Sequence, residues 1–164
     1  MKLYIKQKVF SIKDKFSISD ENGNAVFYCE GKVFSIGKKL RIFDKNNVEV
    51  AYIREKVWCW LPRYYIEKNG VVMATVKKLF TFVKPKYECK ELGWQIEGNF
   101  LEHLYSIKKD SETIASISKK WFAWGDTYEI DVPDDSNVIN ALCLVIIIDA
   151  VNNVSAVTVS AGAS

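Results

Sequence analysis

At 164 residues the chain can bury one sizeable core but not two, and no Pro/Gly/Ser-rich linker divides it. Almost half of its residues are hydrophobic, with nine Phe, eight Tyr and five Trp against only three Pro and eight Gly, which excludes intrinsic disorder. The net charge of +3 conceals an asymmetry: residues 1–90 carry 19 Lys/Arg against 9 Asp/Glu, and residues 91–164 carry 4 against 11. If the halves face different sides of the fold, the first half attracts an anionic partner.

The start, Met1-Lys-Leu-Tyr-Ile-Lys, alternates charged with apolar residues and lacks the continuous hydrophobic stretch of a signal peptide, so it reads as a strand. A short phrase then recurs six times: Lys8-Val-Phe-Ser-Ile, Lys32-Val-Phe-Ser-Ile, Lys56-Val-Trp-Cys-Trp, Lys78-Leu-Phe-Thr-Phe, Asn99-Phe-Leu-Glu-His and Lys120-Trp-Phe-Ala-Trp. Such a period signals one repeated β unit. Turn chemistry at Glu21-Asn-Gly-Asn, Asp44-Lys-Asn-Asn, Asn69-Gly and Leu92-Gly divides each unit into two strands, because Asn and Gly accept left-handed backbone angles cheaply.

Twelve strands are predicted near 2–8, 14–19, 25–31, 38–43, 48–56, 63–68, 71–78, 86–90, 94–98, 104–109, 113–119 and 127–131. The two-residue period selects an inner face in the second strand of each unit: Phe16 and Ile18, Leu40 and Ile42, Tyr64 and Ile66, Tyr87 and Cys89, Tyr105 and Ile107, Tyr128 and Ile130.

After Val132-Pro133 the pattern changes. Asp134-Asp-Ser-Asn has the short polar side chains that cap a helix, and from Val138 to Val151 only Asn140 and Asp149 are polar. A helix over about 136–151, apolar on all sides, is expected to fill the lumen that twelve strands enclose. It is too short for the roughly 20 residues of a membrane span. Residues 1–152 therefore form the predicted domain, and 153–164, small and uncharged, a flexible tail.

These residues resemble the LURP-one-related family, in particular its bacterial YxjI-like branch within the tubby C-terminal-like superfamily. Carrying the resemblance are Tyr4-Ile-Lys-Gln-Lys-Val-Phe-Ser, Glu21-Asn-Gly-Asn, Gly31-Lys-Val-Phe-Ser-Ile-Gly-Lys-Lys-Leu, Leu61-Pro-Arg-Tyr, Phe82-Val-Lys-Pro-Lys-Tyr and Ser118-Lys-Lys-Trp-Phe-Ala-Trp-Gly-Asp-Thr-Tyr. The resemblance spans residues 2–150 and implies a mainly β fold, a 12-stranded tubby-like barrel around a central hydrophobic C-terminal helix. Superfamily analogy points to lipid headgroups, with no residue-by-residue match to carry it.

The usual chemistries find little support. One histidine, His103, and four cysteines without a Cys-x-x-Cys pair do not make a zinc site, and neither a phosphate loop nor a dinucleotide fingerprint is present. Cys29, Cys59, Cys89 and Cys143 read as reduced thiols of a cytosolic protein, Cys89 and Cys143 as packing residues. The acidic run Asp126, Glu129, Asp131, Asp134 and Asp135 is split between strand faces and a helix cap. The expectation is therefore no enzyme, no catalytic residue, no metal and no cofactor.

A basic row is more informative. Lys15, Lys39, Arg63 and Lys86 each stand just before the inward residue of a unit, and with Arg41 they form the candidate anion-binding site. The function expected is a non-enzymatic scaffold or interaction domain, with an anionic phospholipid-binding domain at the cytoplasmic membrane face as the alternative and nucleic-acid binding or an unrecognised enzyme as the further one. A protein or an anionic lipid headgroup is the expected partner, nucleic acid is disfavoured, and the location is cytoplasmic, extending to the periphery of the inner membrane face.

Overall fold

Alternation of inward aliphatic and outward polar residues along short strands produces a wall with one apolar face, and closing that wall on itself removes its edges. The computed structural model describes residues 1–6, 15–31, 36–81, 85–100, 102–122 and 125–161. Outside them lie the first copy of the repeat phrase at 8–12, residues 32–35 of the second, Phe82, Leu101, Ala123, Trp124 and residues 162–164.

The strands are β1 (Lys2–Lys6), β2 (Phe16–Ser19), β3 (Ala25–Gly31), β4 (Lys39–Asp44), β5 (Glu49–Glu55), β6 (Arg63–Lys68), β7 (Val71–Leu79), β8 (Lys86–Cys89), β9 (Trp94–Asn99), β10 (Leu104–Lys109), β11 (Glu112–Phe122) and β12 (Gly125–Asp131). Each pairs antiparallel with its sequence neighbours, and β1 pairs with β12 from Lys2↔Asp131 to Lys6↔Thr127, closing the barrel. All twelve inward residues expected of the even-numbered strands are buried. Large residues face small ones across the ladder, as Ile42 faces Ala51, Ile66 faces Ala74 and Trp94 faces Cys89. That complementarity lets rings of unequal side chains fill an even wall.

Because the order is up and down throughout, the barrel has two unlike ends. At one, tight turns join even to odd strands, with left-handed backbone at Gly23, Asn47, Asn69, Gly70, Gly93 and Asp110. Asp20 and Asp44 brace two of these turns, each accepting two backbone N–H bonds at 2.9 Å. At the other end, odd strands lead to even ones, and each copy of the repeat phrase falls at the end of an odd strand or in the connection that follows it. We call it the loop end.

A 3-10 turn, Asp135–Asn137, leads into α1 (Val138–Ala161). Asp134 caps it, accepting from the Ser136 backbone N–H at 2.9 Å and the Ser136 hydroxyl at 2.8 Å. The N-terminal amine locks this corner, donating to the Val132 carbonyl and lying 3.0 Å from Asp135. A wall of six- or seven-residue strands tilted by about 40° stands roughly 16 Å high, the length of about eleven helical residues. The stretch buried throughout, from Ala141 to Val151, matches that height.

The helix differs from expectation in length. It has 24 residues and continues to Ala161, so the boundary placed at 152 falls inside it. The window Asp135–Asn152 is, by length and a mean hydropathy of 1.4, apolar enough to cross a membrane. Brevity therefore does not distinguish it from a span; its burial inside the barrel does.

Candidate functional site

The five candidate cations do not converge on one pocket. Lys39, Arg63 and Lys86 are the first residues of β4, β6 and β8, and Lys15 immediately precedes β2. Strands lie about 4.8 Å apart, so residues on alternate strands stand roughly 10 Å from one another, and the four make a band along the rim of the loop end. Lys39 and Arg41 share a cleft of about 360 Å³ with Glu30, Gly31 and Tyr52. Lys15 lines a separate cleft of about 290 Å³ with Tyr4, Lys6 and Thr127.

Two of the five are already committed. Lys15 pairs with Glu30 at 2.6 Å, and Arg41 donates to Glu49 at 2.8 Å while its guanidinium lies 5.4 Å from the centre of the Tyr52 ring. Across from Lys39, Arg54 is held by Glu67 at 2.6 Å and stacks over Tyr65 at 4.4 Å. Among the described residues, Lys39, Arg63 and Lys86 enter no ion pair, nor do Lys56 and Lys78 beside them. These five cations lie at the loop end, at strand starts or in the adjoining connections, while Lys45, Lys68 and Lys109, also outside any ion pair among the described residues, stand at the turn end.

That end also carries exposed apolar residues. Between β5 and β6, Trp58 and Trp60 are each 94% exposed; Ile36, before β4, is 76% exposed and Phe80, after β7, 66%. Ile36, Gly37, Glu55, Lys56, Val57, Trp58, Cys59, Trp60 and Pro62 line a shallow depression of about 460 Å³. The loops are set by backbone bonds from Lys56 N–H to the Arg63 carbonyl and from Lys78 N–H to the Pro62 carbonyl, at 2.8 and 3.1 Å. Gly37 has φ +75°, and a Cβ there would fall 2.6 Å from Val57 Cγ1, so only glycine lets these two loops touch.

Inside the loop end lies a polar cluster that the sequence did not announce. Four of the six first inward residues are tyrosines, and their ring meets the two polar residues of α1 at this depth, Asp149 and Asn152. Tyr128 donates to Asp149 Oδ1 and Tyr87 to Asn152 Oδ1, both at 3.2 Å. Lys38 donates to the Ala150 carbonyl. His103, on left-handed backbone in the β9–β10 connection, stacks on Tyr128 with ring centres 4.4 Å apart. Its Nδ1 is 3.9 Å from Asp149 Oδ1, a spacing that by itself favours a charged ring. Burial and then the Lys119 charge oppose this and hold its pKa below the ordinary 6.5. Burial dominates because no short hydrogen bond accompanies the Asp149 contact.

The nucleophiles are poorly placed for chemistry. All four thiols are free, and Cys29, Cys89 and Cys143 are buried. Burial pushes Cys29 up to about 12 and raises Cys89 and Cys143, keeping each protonated at neutral pH. Among the described residues, no group of three or more His, Cys, Asp and Glu is arranged to hold a metal ion. The acidic run is dispersed: Glu129 accepts from Tyr4 at 2.6 Å and pairs with Lys120 at 3.4 Å, Asp131 lies 4.0 Å from Lys2, and Asp134 caps the helix. The Asp126 side chain lies outside the described residues.

A profile of the LURP-one-related family matches residues 1–149. The chain belongs to the LURP-one-related family. It is 34% identical over 151 residues to the "Uncharacterized protein YxjI" of Bacillus subtilis (strain 168), covering 92% of this chain and 93% of that one. A solved Arabidopsis thaliana protein superposes with a TM-score of 0.65 at 22% identity, covering 92% of this chain and 90% of its own, a likeness of fold. The Arabidopsis structure thus shares the barrel architecture of this LURP-one-related chain.

Proposed function

We propose that this protein is a non-enzymatic interaction domain that meets a negatively charged partner on its outer surface. The observation that carries the reading is α1 itself: from Ala141 to Val151 its side chains occupy the lumen where a barrel of this width would otherwise hold a substrate. Support also comes from the buried, protonated thiols, which lack the activated state a nucleophile needs. The outer rim, by contrast, offers Lys39, Arg63 and Lys86 without carboxylate partners among the described residues, and long-range attraction needs only such a field.

Co-sedimentation of the intact chain with anionic and with zwitterionic vesicles, at low and at near-molar salt, tests the reading. Binding to the anionic vesicles alone, lost at high salt and weakened in a Lys39→Glu/Arg41→Glu/Arg63→Glu protein, is expected. Equal binding to both vesicle types, or no binding to the anionic ones at low salt, contradicts the proposal.

A further inference from the structure

Resting on that reading, we infer that the loop end is a membrane-docking face: Trp58 and Trp60 enter the headgroup layer of an anionic bilayer, with Ile36 and Phe80 beside them and the basic rim held at the phosphates. Two indoles each 94% exposed have no packing role, and a large apolar side chain left in water contributes nothing to folding. Trp58 is also held on left-handed backbone, φ +61°, a conformation that suits Asn or Gly and is strained for a bulky residue. Strain retained at an exposed side chain is expected where the side chain serves a binding role. Indole prefers the membrane–water interface, where its ring is apolar and its N–H can still bond.

Charge complementarity selects the bilayer over an apolar protein groove. Lys56 lies on the same loop as the two tryptophans, and Lys39, Arg63, Lys78 and Lys86 stand where the strands meet their loops. Apolar tips with cations one step behind them reproduce the depth order of a bilayer surface, acyl boundary first and phosphate outside it. The tips lie on three separate connections around one rim, which a flat partner can reach together. From the same end α1 runs on to Ala161, and the sequence from 153 to 161 contains no charged residue.

The test is tryptophan fluorescence of the intact chain with phosphatidylserine/phosphatidylcholine vesicles, bromine-labelled on the acyl chain near the headgroup, beside a Trp58→Asn/Trp60→Ser protein. Both positions are solvent-exposed, so the variant is expected to fold, with its unfolding temperature as the check. The inference predicts a blue shift and bromine quenching in the wild type, both lost in the variant, and vesicle affinity lower by about tenfold or more. Salt-sensitive vesicle binding without quenching, and unchanged in the variant, overturns the insertion while leaving the anionic-surface reading intact. Absence of vesicle binding at low salt overturns both, and points to a protein as the occupant of this face.

Discussion

Tyr128, His103 and Asp149 show how one buried carboxylate organises the residues around it. Removing the phenol oxygen in Tyr128→Phe leaves Asp149 short of a donor inside the barrel, and should cost about 1–3 kcal/mol in denaturant unfolding. His103 gives the same cluster a pH dependence. Its folded pKa lies below the unfolded 6.5, so between those values the unfolded chain binds more protons. Stability is fully present above about pH 6.5 and declines as pH falls through the folded value. Asp20, Glu91, Glu129 and Asp134 also have lowered pKa values, but their contributions disappear only below the unfolded carboxylate range. A His103→Gln protein should therefore show a flatter stability profile between pH 5 and 7 than the wild type; an unaltered slope would show that the ring does not titrate on unfolding. Gly37→Ala belongs to the same scale: the positive φ and the 2.6 Å approach to Val57 predict a loss of about 1–3 kcal/mol, read by the same unfolding curves.

Among the elements, α1 is where sequence and structure diverge most. Its start was legible in Asp134 and its burial in the apolar run, but its end was not. No Gly or Pro occurs between Pro133 and Gly162, and the polar residues Asn152, Asn153, Ser155 and Thr158 that interrupt the apolar run after Val151 resemble a stop while being compatible with continued helix. The stretch 141–151 is buried throughout and matches the wall in height, so stability should depend strongly on it. Leu142→Ala, fully buried, should lose about 2–5 kcal/mol or fail to fold, whereas deletion of residues 158–164 should leave the thermal midpoint nearly unchanged. A large loss on deletion would mean that the last turn packs as firmly as the centre. The strands were far more legible, because a two-residue period declares its inner face residue by residue, as Leu40–Ile42 and Tyr64–Ile66 illustrate.

Across the whole molecule, up-and-down closure turns a linear repeat into a barrel with a turn end and a loop end, and this step converts sequence into a candidate site. The basic row at Lys39, Arg63 and Lys86 was visible as a repeat feature, yet its position on a rim was not, since strand starts become neighbours only after closure. The carboxylates that occupy Lys15 and Arg41 come from adjacent strands and were likewise hidden. Trp58 and Trp60 were visible in the repeat phrase but their exposure was not, because a loop position and, for Trp58, a positive φ are three-dimensional facts. A barrel filled by its own helix, with the proposed docking face at one end, makes a joint demand on protection and accessibility. Hydrogen exchange of the intact chain, alone and with anionic vesicles, measures both. Amides of 141–151 are predicted to exchange slowest and to be unaffected by vesicles, while new protection appears in 36–38, 56–62 and 80–81. Rapid exchange in 141–151, or vesicle protection confined to the tight turns at the opposite end, would contradict a helix-filled barrel that docks through its loop end.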